Sequence, residues 1–124
     1  MSVIDKAIDL VPLGETAIVF LTRGDFLTWN PDGTGATGPW KCTPQRRRLN
    51  RVIIYFEQGD HLDIDILVGN YDGAVYPVEV GKYVTPGRWM ITMTDIKKVG
   101  TTSNNWKKFA DAGTNPVRYL SKPA

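Results

Sequence analysis

The sequence predicts a mainly β domain of the α+β class, a small curled sheet or barrel of about six strands with two short helices. Short apolar runs rich in β-branched and aromatic residues recur along the chain, and turn-forming Gly, Pro, Asn and Asp residues separate them. Only two short segments have helical spacing. At 124 residues, with 42% hydrophobic and 23% charged residues, the chain has the size and composition of a single domain over residues 1–124.

The predicted strands alternate with recognisable turns. Two of them, 51–57 (RVIIYFE) and 61–68 (HLDIDILV), are expected to form a hairpin across Gln58-Gly-Asp. In the second strand Ile64 and Ile66 fall on one face, and the intervening acidic residues fall on the other. The remaining predicted strands cover residues 16–22, 26–29, 88–94 and 117–120.

The two predicted helices lie near the ends of the chain. Ser2 is expected to cap the first, which ends before Pro12. The second spans residues 103–110 and places Trp106 and Phe109 on one face, and Gly113 is expected to end it.

Residues 30–39 (NPDGTGATGP) combine glycine and proline so densely that we expect an irregular surface loop. Trp29 and Trp40 flank this segment. Rigid aromatic side chains beside a glycine-rich backbone are a frame for a ligand pocket. A hairpin connection whose two tryptophans cover the edge of the core remains an alternative.

The cysteine count and the hydropathy pattern restrict the compartment and the cofactors. Cys42 is the single cysteine, so no internal disulfide and no multi-cysteine zinc site can form, and a reducing compartment such as the cytoplasm is expected. The sequence contains no apolar run long enough for a membrane span, and the acidic residues near its start do not fit a secretory signal. No phosphate-binding glycine motif is present, and we expect no cofactor.

Charge is unevenly distributed although the net charge is only +2. Five acids and no Lys or Arg occur between Glu57 and Asp72. Such segregation either presents a positive face to a polyanion or pairs acids with bases across adjacent strands. The basic residues between positions 41 and 51 are Lys41, Arg46, Arg47, Arg48 and Arg51.

A carboxylate cluster offers one possible metal site. Asp60, Asp63 and Asp65 could hold a hard cation such as Mg²⁺, with His61 beside them, as in a small metal-dependent nuclease or hydrolase. The alternation of this strand accounts equally well for a solvated outer face.

Aromatic and basic residues together indicate a nucleic-acid ligand. Stacking a base on an aromatic side chain contributes about 1–3 kcal/mol, and arginines add contacts to phosphate that weaken with salt. The basic residues between positions 41 and 51 would form the rim of such a site, beside the tryptophans that flank the glycine-rich segment.

Three segments in order resemble the PUA-like superfamily, which includes the EVE, YTH and ASCH domains. They are Pro39-Trp-Lys with the basic stretch after it, then residues 51–55 (RVIIY), then residues 66–69 (ILVG). The resemblance implies a small barrel that binds nucleic acid and holds a flipped, modified base between aromatic side chains. It also implies pocket walls at Trp29, Trp40 and Tyr71, and backbone contacts from residues 46–48.

The sequence therefore predicts a non-catalytic module that binds DNA or RNA, with a modified base as the favoured ligand. The predicted ligand-binding residues are Trp29, Trp40, Tyr71, Lys41, Arg46, Arg47, Arg48 and Arg51. Two alternatives remain, a protein-interaction or self-assembly module of a mobile element and the metal-dependent nuclease or hydrolase. No membrane partner is expected, and the oligomeric state is left open.

Overall fold

One mixed β-sheet organises the protein in the computed structural model, which describes residues 2–23, 26–44, 48–57, 63–75 and 87–123. A 3₁₀ helix spans Ala7–Leu10, and the α-helix α1 spans Trp106–Ala110. Neither helix of the described ranges is long and apolar enough to cross a membrane. The strands are β1 (Ser2–Val3), β2 (Glu15–Thr22), β3 (Leu27–Trp29), β4 (Gly35–Lys41), β5 (Arg51–Phe56), β6 (Ile64–Val75), β7 (Arg88–Thr102) and β8 (Val117–Lys122).

The prediction of a mainly β domain is confirmed, but the predicted number of strands is wrong. The described sheet has 8 strands, against the predicted count of about six, because β1 and β4 lie in segments predicted as helix and loop. The strand order is β3-β4-β7-β6-β5-β2-β8, with β1 beside β7. Within the described residues the sheet ends at β3 and β8 and does not close into a barrel.

The irregular loop predicted over residues 30–39 is a tight turn followed by β4. Asn30 accepts a hydrogen bond from the Gly33 N–H (3.0 Å) and donates its own N–H to the Thr34 carbonyl (2.8 Å). Gly33 has a φ of +89°, so the turn is a three-residue hairpin connection with a glycine bulge. Farther on, Pro39 lies where the β4–β7 register shifts, and there its missing N–H removes no hydrogen bond from the ladder.

The predicted N-terminal helix is also corrected. Ser2 lies in β1 and pairs in parallel with Gly100 of β7. Ile4 extends this contact by donating its N–H to the Thr101 carbonyl (2.7 Å). The 3₁₀ helix starts only after Lys6, whose side chain makes no capping bond. Pairing with an open stretch of β7 thus displaces the helical pattern of the first residues.

The predicted pairing of residues 51–57 with 61–68 is confirmed, because β5 and β6 are antiparallel with Tyr55 opposite Ile66. The turn between them lies outside the described residues. On its other side β5 pairs in parallel with β2. Both Ile66 and Leu67 are buried although they point to opposite faces, because both sides of the sheet are covered here.

The two faces of the sheet carry separate apolar clusters, here called the Trp40 face and the Trp106 face. The 3₁₀ helix and α1 cover the Trp106 face, whereas β4, Cys42 and Leu49 contribute to the Trp40 face. The buried residues of the Trp40 face are Ile18, Phe20, Trp40, Cys42, Leu49, Val52, Ile54, Leu67, Ile91, Met93, Ile96 and Val117. Those of the Trp106 face are Ala7, Val11, Ala17, Val19, Ile53, Tyr55, Ile66, Trp106, Phe109, Ala110 and Leu120.

The predicted C-terminal helix is confirmed as α1, with Trp106 and Phe109 buried together. Asn105 caps it, because its side-chain oxygen accepts a hydrogen bond from the Lys108 N–H (2.9 Å). The helix ends at Asp111, which has a left-handed φ of 52°, rather than at the predicted Gly113.

Replacing Gly100 by alanine is expected to release β1 from β7. A Cβ at this position would lie 2.1 Å from the Ser2 carbonyl oxygen, so the two backbones could not keep their present separation. Amide hydrogen exchange should show loss of protection at Ile4, whose N–H bonds to β7. The control is Gly113→Ala, where a Cβ meets nothing within 4 Å, and equal protection of Ile4 in both variants would contradict this account.

Candidate functional site

A cleft of about 590 Å³ lies between the end of β4 and the segment that joins α1 to β8. Asn115 fixes that segment, because its carbonyl accepts a hydrogen bond from Trp106 Nε1 (2.9 Å) and its side chain accepts one from the Val117 N–H (3.0 Å). The wall of the cleft is therefore tied to both α1 and β8. The lining residues are Lys41, Cys42, Thr43, Gly87, Asp111, Ala112, Gly113, Asn115, Val117, Arg118 and Tyr119.

Cationic side chains reach the cleft from both sides. Lys41 lines it at the end of β4 and lies directly opposite Arg88 of β7 in the strand register. Arg118 lines it from β8, where its Nε donates a hydrogen bond to the Asp111 carbonyl (3.2 Å). Within the described ranges none of these three cations forms an ion pair with a carboxylate. Like charges on directly opposed strand positions repel, so an anion bound beside Lys41 and Arg88 would relieve this repulsion.

Cys42, Thr43 and Tyr119 also line the cleft. The Tyr119 hydroxyl accepts a hydrogen bond from the Thr43 N–H (3.1 Å). Burial raises the pKa of the Cys42 thiol to about 11. Burial also raises the pKa of Tyr71, and the neighbouring Cys42 and Tyr119 raise it further. A thiol with so high a pKa carries almost no thiolate near neutral pH, so Cys42 is not an activated nucleophile.

Of the three aromatic residues predicted as pocket walls, Trp40 belongs to the core of the Trp40 face and Tyr71 packs against that core, whereas Trp29 lies apart on β3. Trp40 is 8% exposed, stacks on Phe20 with ring centroids 5.2 Å apart, and donates its Nε1–H to the Thr37 hydroxyl (2.9 Å). Trp29 is 47% exposed on β3, at the edge of the sheet. Tyr71 lies on β6, which is three strand positions from β3, or roughly 14 Å at about 4.8 Å per step. Both tryptophans lie on strands: Trp29 ends β3, within the predicted strand 26–29, and Trp40 lies on β4, directly after the segment predicted as a loop.

The residues of the predicted basic rim also lie in different surroundings. Lys41 lines the cleft, and Arg48 is exposed. Arg51 is half-buried and bound internally, since its Nε meets Glu15 Oε1 at 2.9 Å and its Nη1 donates to Asn70 Oδ1. Arg46 and Arg47 lie outside the described residues.

The pairing of acids with bases across the sheet, which the sequence left as an alternative, accounts for part of the charge segregation. Lys98 of β7 contacts Asp65 of β6 at 2.9 Å. Arg23 contacts Glu57 at 3.3 Å, although Arg23 is well exposed and the pair is expected to contribute at most about 1 kcal/mol.

The metal-site hypothesis is only partly covered by the residues that the structure describes. Asp63 is exposed, and Asp65 is engaged by Lys98. Asp60 and His61 lie outside the described residues. Among the described side chains no group of three or more His, Cys, Asp or Glu converges as metal ligands would.

Several cleft residues are not among the predicted site residues. Arg118 and Tyr119 belong to a short terminal strand, and Asp111 and Asn115 belong to the turn before it. Their alternation in the sequence resembles that of any edge strand, so only the packing of β8 against β2 brings them to the end of β4. The mixture of one arginine and one tyrosine near the C-terminus is the sole signal that could have singled them out.

The contrast between the two tryptophans predicts very different costs of truncation. Trp40→Ala should lower the free energy of unfolding by about 3–5 kcal/mol, because it empties a stacked position in the core. Trp29→Ala should lower it by about 1 kcal/mol or less, because nearly half of the side chain is already exposed. Guanidinium denaturation of both variants tests this, and similar losses would contradict the burial described for Trp40.

The raised pKa of the Cys42 thiol predicts that the folded protein loses stability at alkaline pH. Its raised folded-state pKa keeps the thiol protonated while the unfolded chain loses that proton above a pH of about 9. Stability is therefore full below that pH and falls as the pH rises through 11, by roughly 2–3 kcal/mol at about 1.4 kcal/mol per pKa unit. Urea denaturation of the wild type and of Cys42→Ala between pH 8 and 11 measures this effect. A pH dependence of the same steepness in both proteins would argue against it.

Comparison of the chain with protein-family models, with curated proteins and with solved structures gave no match.

Proposed function

We propose that this domain binds nucleic acid, DNA or RNA, through the cleft between β4 and β8. The observation that carries the proposal is that Lys41 and Arg118 line the cleft from its two sides, with Arg88 directly opposite Lys41 in the strand register and no described carboxylate paired with any of the three. Phosphate oxygens are the common biological anions that would bridge such cations.

A base is the second part of the proposed ligand. Tyr119 lines the cleft and is held in place through its hydroxyl, so its ring offers a fixed apolar surface. The cleft volume of about 590 Å³ lies within the range of roughly 300–1,000 Å³ that is typical of small-ligand sites. A single base displaced from its stack, with a modified base as the favoured form, is the ligand we propose for this space.

The choice of a modified base as the favoured ligand comes from the resemblance to PUA-like domains. The segments that carry it lie on β4, β5 and β6, and the latter two are antiparallel neighbours. In this proposal Lys41 keeps its predicted role, while Arg118 and Tyr119 take the positions expected of Arg51 and Trp40. The cytoplasm, proposed from the single cysteine, is a compartment in which such a ligand is present.

The test is fluorescence anisotropy with labelled 12-nucleotide single strands and duplexes of DNA and RNA, with and without one modified base. Three phosphate contacts predict a fall in affinity of about 20- to 40-fold between 50 and 200 mM salt. Arg118→Gln and Lys41→Ala should each reduce the slope of log affinity against log salt by about 1. Tyr119→Leu should weaken binding of a modified base more than it changes that slope.

Lys6→Ala is the control, because Lys6 is an exposed cation that precedes the 3₁₀ helix and does not line the cleft. Its affinity and salt slope should equal those of the wild type. Binding that does not depend on salt, or that Lys6→Ala and Arg118→Gln weaken equally, would overturn the proposal.

A further inference from the structure

We infer that the free edge of β3 is a strand-addition site for an extended basic peptide, separate from the cleft. No described strand pairs with the outer side of β3, which ends the sheet. Three features support the inference: the direction of the β3 backbone groups, a shallow acidic depression beside them, and exposed aromatic side chains on the opposite face.

The backbone of β3 presents groups at this edge that pair with no strand in the described part of the chain. The Asn30 N–H bonds to the Thr34 carbonyl, so the alternation of an antiparallel ladder makes Thr28 and Ala36 the next hydrogen-bonded pair. The N–H and C=O groups of Leu27 and Trp29 therefore point away from β4. Two residues of an added strand could take up these four groups.

A depression of about 320 Å³ lies beside Thr28 on one face of the sheet. Ala36 and Thr92 give it a floor of small side chains, and the exposed carboxylate of Asp72 lines it. A side chain of an added strand that lies opposite Thr28 would point into this space. The depression has room for the stem of a lysine or arginine, and Asp72 supplies the opposite charge.

The other face of the edge is apolar. Phe26 and Trp29 are exposed by 42% and 47%, and Leu27 is partly buried against the Trp40 face. Residues of an added strand that lie opposite Leu27 and Trp29 would place their side chains against this surface. An alternating sequence, with basic residues on one face and apolar residues on the other, fits both sides of the strand.

The charge at this edge selects the occupant. Asp32, in the turn that follows β3, is exposed, and hydrogen bonds from Thr34 hold its pKa below the ordinary value, so it is ionised at neutral pH. Asp72 lines the depression beside β3 and makes it acidic, which disfavours nucleic acid there. A second copy would bring Asp32 and Asp72 of its own to the same edge, so symmetric β3–β3 pairing would oppose like charges. A basic peptide is attracted by these carboxylates, whereas nucleic acid and a second copy are repelled by them.

The probe is a fluorescein-labelled heptapeptide in which valine alternates with arginine, and its counterpart carries glutamate in place of arginine. We expect saturable anisotropy with the arginine peptide and none with the glutamate peptide. Asp72→Asn should weaken binding at least fivefold, and Thr28→Lys, which places a cation in the depression, at least tenfold. Asp9→Asn, an exposed carboxylate on the 3₁₀ helix, is the control and should bind like the wild type.

Amide hydrogen exchange gives a second readout at single residues. The Thr28 amide should be protected with or without peptide, whereas the Leu27 and Trp29 amides should gain protection only with it. Absence of saturable binding, equal binding of the glutamate peptide, or no change in Asp72→Asn and Thr28→Lys would overturn the inference. Dimerisation of the free protein that Thr28→Lys abolishes would overturn it too, because a second copy would then occupy the edge.

Discussion

Burial of the parallel pair β2 and β5 on both faces is the constraint on which the rest of the structure depends. Residues 17–20 and 52–55 are buried without exception, so successive side chains of each strand enter different cores. Each large apolar side chain removed from water contributes about 1.5–3 kcal/mol, and leaving either face open would forfeit half of them. The chain therefore has to supply a cover for each side of one sheet.

The two covers position the candidate cleft. On the Trp106 face, Tyr55 packs against Trp106 and Phe109 with ring centroids 5.7 and 5.3 Å apart, which anchors α1 and the segment after it. On the Trp40 face, the stacking of Trp40 on Phe20 fixes the end of β4. The cleft lies where the segment after α1 meets the end of β4, so its walls are set by aromatic packing that itself contacts no ligand in the proposed binding mode.

Internal ion pairs decide which charges remain available at the surface. Arg51 and Lys98 are held by Glu15 and Asp65, and this removes them from any rim that faces a ligand. The charges that remain at the surface differ between the two ends of β4. Its last residue, Lys41, lies by the cleft with Arg88, whereas its first residues pair with β3, beside the acidic depression. The two ends are separated by roughly 20 Å at about 3.3 Å per residue, so the two proposed ligands could bind at the same time.

The sequence by itself determined most of the strands, the C-terminal helix and the pairing of β5 with β6, because these follow from local apolar periodicity and turn residues. It did not determine β4, since Gly38 and Pro39 argue against a strand unless a bulge in β4 itself, where its register with β7 shifts, accommodates them. Nor did it determine β1, which forms only because β7 offers an open stretch at Gly100. The cleft was decided by tertiary structure alone. Lys41 could be predicted from its basic neighbourhood, but Arg118 and Tyr119 come within reach of it only through the packing of β8 on β2, and no local pattern encodes a contact between residues so far apart in the chain.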